Sequence, residues 1–408
     1  MDIENTRKDF PILKSDIVYF DNACMSLKPM QVINKMNEYY LEYPSCHGRS
    51  NYKIATRLND EIDLARAAVQ KFIGAKRVEE VIFTRNTTES INLIANTFDL
   101  KAGDVVLTTD KEHNSNLLPW IYLKERKNID HQIIRSSSDN TFDMNSFEEL
   151  LNENKKKGKK VKLISLGHTS NIDGVTIPAK QIIKMAHEHG ALVLLDGAQA
   201  APHMEIKVKD LDVDFYAFSG HKMLGPSGTG VLYGKYDLLR SLPQFLVGGE
   251  TVSDSTYDDY KVEELPMKFE AGLQNYSGIV GLGEACRYLS KVGLSNVKKQ
   301  EAYLNKIITE GLKEEINNES VKLIGPKDPE LRGGIFNFTL NGFDSHEAAM
   351  MMDKTHNIAL RAGAHCCHAW YNSTGIKNSI RASLYFYNTE QEATNFINAV
   401  KEILELRR

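Results

Sequence analysis

Short apolar runs, each closed by a polar or turn-forming residue, recur along the first two-thirds of the chain. They predict strands at 80–84, 104–109, 131–135, 161–166, 191–195, 214–218 and 230–233, with a short earlier strand at 16–21. Between them, apolar positions return with the 3.6-residue period of a helix, at 30–42, 60–72, 91–98, 116–125 and 177–190, the last closed by Gly190. Strands alternating with helices indicate an α/β domain with a mainly parallel sheet. After Pro266 the pattern changes. Residues 276–316 read as largely helical and carry a long helix between lobes. Residues 334–340 alternate as a strand, 345–356 form a helix, 358–362 and 380–387 form strands, and 389–406 form a terminal helix. This is a smaller α+β lobe. The boundary falls near 265, giving a large domain over 22–265 and a small domain built from 1–21 and 266–408.

Composition narrows the classes without choosing among them. A chain of 408 residues has room for roughly two to three domains. The net charge of −4 gives no general attraction to nucleic acid or to an anionic membrane. The basic run over 155–162 reads as a solvated loop before a strand. No apolar run approaches the roughly 18 residues of a membrane span, and the polar start MDIENTRKDF has no apolar signal core. Five irregularly spaced cysteines argue against a disulfide framework and for reduced thiols in a cytoplasm. His365, Cys366, Cys367 and His368 are too compact for one tetrahedral metal site, so no metal is expected.

The candidate chemistry centres on Lys222, which stands among Gly220, Gly225, Gly228 and Gly230 between two apolar segments. With little bulk around it, its amine is a candidate Schiff-base nucleophile; a solvated lysine on a glycine-rich turn is the plain alternative. Asp196 closes a buried run, where a carboxylate can pair with a protonated pyridine nitrogen or simply cap a helix. Gln199 and Asn171 lie within reach of the same region. Thr87 and Thr88 follow a strand and open a helix, where backbone N–H groups can receive a phosphate or the hydroxyls can form an ordinary capping box. Ser219 and His221 flank the lysine and add possible phosphate contacts. His113, after the strand at 104–109, can stack on an aromatic ring. In the small lobe, Arg361 and Arg381 can each hold a substrate carboxylate by a bidentate pair. Cys366 lies in a Gly/Ala-flanked loop beside imidazoles, a setting for a nucleophilic thiol or for a buried, inert cysteine pair.

Taken together, these residues resemble the class V, fold-type I pyridoxal-phosphate (PLP) enzymes, and within them the SufS-like cysteine desulfurases and selenocysteine lyases. The matching segments are YFDNACMSLKP (19–29), FTRNTTESINLIAN (83–96), EHNSNLLPW (112–120), HTSNIDG (168–174), LLDGAQAAPH (194–203), DFYAFSGHKMLGPSGTGVLYGK (214–235), FLVGGE (245–250), FEAG (269–272), RAGAHC (361–366) and IRASLYFYNT (380–389). They stand in family order over most of the chain.

The resemblance implies a fold-type I architecture: a large domain with a mainly parallel seven-stranded sheet, plus a smaller α+β C-terminal domain. It implies pyridoxal 5'-phosphate on Lys222, with Asp196 at the pyridine nitrogen and His113 stacked on the ring and able to exchange a proton. Asn171 and Gln199 would lie near the phenolic oxygen, and Thr87, Thr88, Ser219 and His221 at the phosphate. Arg381 would hold the substrate carboxylate, and Cys366, with adjacent Cys367 left open as the alternative carrier, would take sulfur from L-cysteine as a persulfide, leaving L-alanine. L-selenocysteine is a further candidate substrate. A homodimer and a sulfur-acceptor protein are also implied, with the acceptor open among iron–sulfur cluster assembly, tRNA thiolation and selenium recycling. A class V aminotransferase would use the same lysine and aspartate without Cys366; a catalytically dead scaffold would be expected to lose the lysine or the phosphate site. Departures from the family pattern are Ala364 before the loop cysteine, Cys367, His368 and Trp370 after it, Leu273 and Gln274 after FEAG, and the cysteines at 24 and 46.

Overall fold

In the strand Leu192–Asp196, Val193 and Leu195 pack into one apolar cluster while Leu194 packs into another on the opposite face. A strand covered on both sides buries every side chain, so its sequence is continuously apolar rather than alternating. The same holds for Phe215–Ser219, where Tyr216 and Phe218 face one cluster and Phe215 and Ala217 the other. Each such fully buried large apolar side chain contributes about 1.5–3 kcal/mol. The computed structural model describes residues 2–406. The ends of the expected small domain, residue 1 and residues 407–408, lie outside the described residues.

The large sheet has seven strands in the order Val81–Thr84, Gly230–Gly234, Phe215–Ser219, Leu192–Asp196, Val161–Gly167, Val105–Thr109, Asp130–Ile134. Gly230–Gly234 runs antiparallel to both of its neighbours. All other pairs are parallel. The fold is therefore the expected α/β type with a mainly parallel seven-stranded sheet. A second, antiparallel sheet has the order Val321–Ile324, Ile335–Leu340, Ser379–Ser383, Arg361–Gly363. Leu304, Ile308, Met352, Phe396 and Val400 from the surrounding helices cover it in a core of its own. The N-terminal strand Val18–Tyr19 joins this region by pairing in parallel with Ile358–Ala359.

Several elements differ from expectation. The helical stretch 276–316 is three helices, Tyr276–Val292, Leu294–Gly311 and Lys313–Asn317. Gly293 sits between the first two at φ +82, a conformation that ends a helix and that glycine adopts without steric cost. The basic run is not one loop: Met144–Lys156 is a helix whose apolar Phe147 and Leu151 are buried, and the chain turns at Gly158 before the strand at Val161. The strand expected over 380–387 ends at Ser383. A hairpin, Val252–Ser255 with Tyr260–Val262, stands where no element was expected.

Candidate active site

The parallel strands end on one side of the sheet, and the loops that follow them meet the second sheet across a cavity of about 230 Å³. Lys222 enters it from one turn of helix, Gly220–Lys222, directly after Phe215–Ser219. Gly220 is required there, because a Cβ would stand 2.2 Å from Thr229 Oγ1. The N-terminal segment pins this turn. Ser26 Oγ accepts from Leu224 N–H at 2.7 Å, and Lys28 Nζ donates to the His221 carbonyl at 3.0 Å. Burial pulls the Lys222 amine below the ordinary lysine range, opposed by the Asp196 carboxylate. Asp196 is buried at its strand end and accepts from Ala198 N–H at 2.9 Å. Burial pushes its carboxyl upward, with Ala198 and Lys222 acting against the shift.

A cup of hydroxyls lies at the start of the helix Thr87–Thr97. Thr87 N–H donates to Ser219 Oγ at 2.9 Å, and the Thr87 and Ser219 hydroxyls lie 2.7 Å apart. Thr88 Oγ1 meets Ser115 Oγ at 2.7 Å. His221 lines the same end of the cavity, its imidazole driven down to about 4 by burial. His113 caps the helix Asn114–Lys127, accepting from Ser115 N–H at 3.1 Å. Burial, with Lys222 and the two arginines beyond, lowers its pKa to about 3, so the ring is neutral at ordinary pH. Gln199 donates to the Ala23 carbonyl at 2.7 Å.

The second sheet supplies two arginines on adjacent strands, Arg361 paired with Arg381. Arg381 is 2% exposed. Its Nη1 donates to the Asn171 carbonyl at 2.9 Å, while Nε and Nη2 have no hydrogen-bond partner. Asp21 stands 3.5 Å from Nη2, an ion-pair distance without hydrogen-bond geometry. Unsatisfied buried donors on a fixed cation are costly, and an anionic group that accepts from them removes that cost.

The loop 364–368 brings the cysteine. His365 and Cys366 both lie in the left-handed region, at φ +48 and +61. Non-glycine residues there store strain, and neighbouring contacts hold it. Asn171 Nδ2 donates to the His365 carbonyl at 2.8 Å, and Asn114 N–H donates to the Cys366 carbonyl at 2.7 Å. Cys366 Sγ, half-buried, receives Arg361 Nη2 at 3.4 Å. Cys367 points away from the cavity. It is buried, bonded to Asn171 Oδ1 at 3.2 Å, and burial pushes its thiol up to about 12.

One cavity thus gathers Thr87, Thr88, His113, Asn171, Asp196, Gln199, Ser219, His221, Lys222, Arg361, Cys366 and Arg381. Sequence reasoning missed Glu112, Asn114 and Lys111. Glu112 is buried and accepts from Thr109 Oγ1, Asn116 Nδ2 and Gly167 N–H, with burial raising its carboxyl to about 7. Lys111 pairs with buried Asp173 at 2.8 Å. The signal was adjacency to His113, since all three share its strand-to-helix turn.

The model of the aminotransferase class-V family matches residues 18–396. The chain belongs to the class V aminotransferase family. A curated relative, a probable cysteine desulfurase of Staphylococcus aureus (strain Mu50), is 36% identical over 412 residues, spanning 99% of this chain and 97% of its own. Among solved structures, the apo cysteine desulfurase of Thermococcus onnurineus NA1 is 36% identical, with a TM-score of 0.93 and 98% of each chain covered. The Escherichia coli cysteine desulfurase CsdA, in an S-sulfonic acid form, is 30% identical, with a TM-score of 0.91, covering 100% of this chain and 99% of its own.

As a class V site, the cavity fits pyridoxal phosphate by its donor set. Hydroxyls and a helix start suit a phosphate, a buried carboxylate suits a pyridine nitrogen, and a buried amine suits the aldehyde carbon. Among the described residues no group of His, Cys, Asp and Glu could hold a metal ion, and no helix is long and apolar enough to cross a membrane.

Proposed function

We propose that this protein is a pyridoxal-phosphate-dependent cysteine desulfurase, converting L-cysteine to L-alanine and leaving the sulfur as a persulfide on Cys366. The observation that carries the reading is the meeting, in one cavity, of a buried amine, a buried arginine with free donors, and an accessible thiol. Full-length similarity to cysteine desulfurases supports it.

Thr87, Thr88, Ser219 and His221 would hold the cofactor phosphate, Asp196 the pyridine nitrogen, and His113 one ring face. Bound there, the cofactor supplies an electron sink at the substrate α-carbon. Arg381 Nε and Nη2 bind the substrate carboxylate and set its orientation. Lys222, whose amine burial keeps from holding a proton tightly, takes the α-proton. Cys366 Sγ attacks the substrate sulfur. A sulfur–sulfur bond forms as the substrate carbon–sulfur bond breaks, and the electron pair stays on carbon, which takes up a proton to become alanine.

A homodimer and a sulfur-acceptor protein belong to the same proposal. Val247 and Leu273 are large apolar residues left exposed, at 61% and 68%, which supports burial against a second copy. A cytoplasmic setting fits the free cysteines. The test is incubation of the holoenzyme with L-cysteine, and separately with L-selenocysteine, with alanine and protein-bound persulfide both quantified. With L-cysteine, equimolar alanine and persulfide, both abolished by Cys366→Ser, is the expected result. Transfer of the amino group to a keto acid without persulfide would identify an aminotransferase instead.

A further inference from the structure

The site holds a second thiol that the mechanism above does not use. Cys24 lies on the segment after Tyr19, with its backbone N–H bonded to the Asp21 carbonyl at 3.1 Å, and lines the same cavity as Cys366. Its sulfur receives Arg361 Nη1 at 2.9 Å, while Cys366 Sγ receives Nη2 of the same guanidinium at 3.4 Å. The two sulfurs, from opposite ends of the chain, thus rest on adjacent nitrogens of one rigid, planar cation. Both thiols are half-buried and free. Arg361 lies on the strand paired with Ser379–Ser383, and its planar guanidinium presents both nitrogens in fixed relation to each other. The other cysteines are placed differently. Cys367 is turned onto Asn171, Cys286 is buried in the core and Cys46 is exposed.

We propose that Cys24 is a second sulfur carrier, taking the sulfur from the Cys366 persulfide within the same chain; this rests on the desulfurase reading. Cys24 Sγ, as thiolate, attacks the terminal sulfur of Cys366–S–SH. The new bond joins Cys24 Sγ to that sulfur, the Cys366 sulfur–sulfur bond breaks, and its electron pair returns to Cys366 Sγ. The proton lost by Cys24 replaces the one Cys366 lacks. The transferred sulfur keeps its oxidation level, so no oxidant or reductant enters. Arg361 donates to both ends of the exchange, and the negative charge moves from one sulfur to the other within reach of a single cation. Cys366 is then free for a second substrate while Cys24 holds the first sulfur.

The experiment uses holoenzyme, L-cysteine and rapid acid quench, without added thiol. Alanine is measured through the first burst, and sulfur is mapped to cysteine-containing peptides after alkylation. The expected burst is about two alanines per wild-type chain and about one for Cys24→Ser, with sulfur on the Cys24 peptide only in the wild type. Cys24→Ala is a second variant, and retained visible cofactor absorbance checks that each variant folds. Cys366→Ser should carry no sulfur on Cys24. The relay is overturned by a wild-type burst of one alanine with all sulfur on Cys366. It is equally overturned by sulfur on Cys24 in Cys366→Ser, by a Cys24 level no higher than that on exposed Cys46, or by a Cys24–Cys366 disulfide with sulfide released. Absence of alanine and of persulfide on every cysteine strikes the desulfurase reading itself, and the relay with it.

Discussion

The strained cysteine loop gives a sharp prediction at Asn114. Its backbone N–H donates to the Cys366 carbonyl at 2.7 Å, holding a residue at φ +61. Asn114 is also the first residue of the helix Asn114–Lys127, and His113 before it is extended at φ −59, ψ 145. Proline is welcome at that first position, and the residue before it prefers such an extended backbone. Asn114→Pro therefore removes the backbone N–H that holds the Cys366 carbonyl and leaves the helix intact. The lost bond, with a carbonyl left wanting a donor, costs roughly 1–3 kcal/mol, or about 5- to 150-fold in the population of the held loop. The substitution also deletes the side chain that meets His368 Nδ1 at 2.9 Å, so Asn114→Ala serves as the control that keeps the N–H. Two steps are then read separately. Exchange of the substrate α-proton with heavy water depends on Lys222 and Arg381 and should stay near wild type. Alanine formation depends on Cys366 and should fall in Asn114→Pro far more than in Asn114→Ala. Equal losses in the two variants, or loss of proton exchange along with alanine, would refute the reasoning.

Glu270 of the FEAG segment forms a bidentate ion pair with Arg66 at 2.7 and 2.8 Å, both side chains buried, and also accepts from Phe83 N–H at 2.7 Å. Glu270→Ala should destabilise the fold by about 3–5 kcal/mol, Glu270→Gln by less, and Arg66→Met/Glu270→Leu should recover much of the loss in thermal unfolding; additive losses in the double variant would contradict this. Cys367→Ala should retain alanine formation and persulfide, because its buried thiol faces Asn171 and is pushed up to about 12; loss of both products, with Cys366→Ser active, would reverse the assignment. Arg381→Lys should raise KM for L-cysteine about 10- to 100-fold through loss of the paired donors, measured by initial rates, and an unchanged KM would place the carboxylate elsewhere. With its pKa lowered to about 3, the His113 ring is neutral at ordinary pH, so the acid limb of kcat/KM should stay in place in His113→Gln while kcat falls; a moved limb would show that His113 titrates in the working range.

The strands that carry the site were legible because both of their faces are buried. Asp196 and Ser219 could be placed at strand ends from continuous apolar runs alone. The helix Met144–Lys156 was not legible as such, because only Phe147, Leu151 and the polar Asn154 are buried on its inner face, a weak apolar stripe. The limit at the active site is of another kind. His365 and Cys366 adopt left-handed conformations that their own sequence does not favour, and the donors holding them come from Asn114 and Asn171, about 250 and 195 residues earlier. Local preference cannot choose between Cys366 and Cys367, since the two share composition, flanks and loop. Contacts with other segments distinguish them, since one thiol receives Arg361 and the other is buried against Asn171. The same dependence explains Cys24. By sequence it stands out only as a departure from the family pattern, and it becomes chemistry only when the pairing of Val18–Tyr19 with Ile358–Ala359 carries the N-terminal segment to Arg361. Motif order therefore points to Lys222, whereas the choice among the thiols rests on contacts between distant segments.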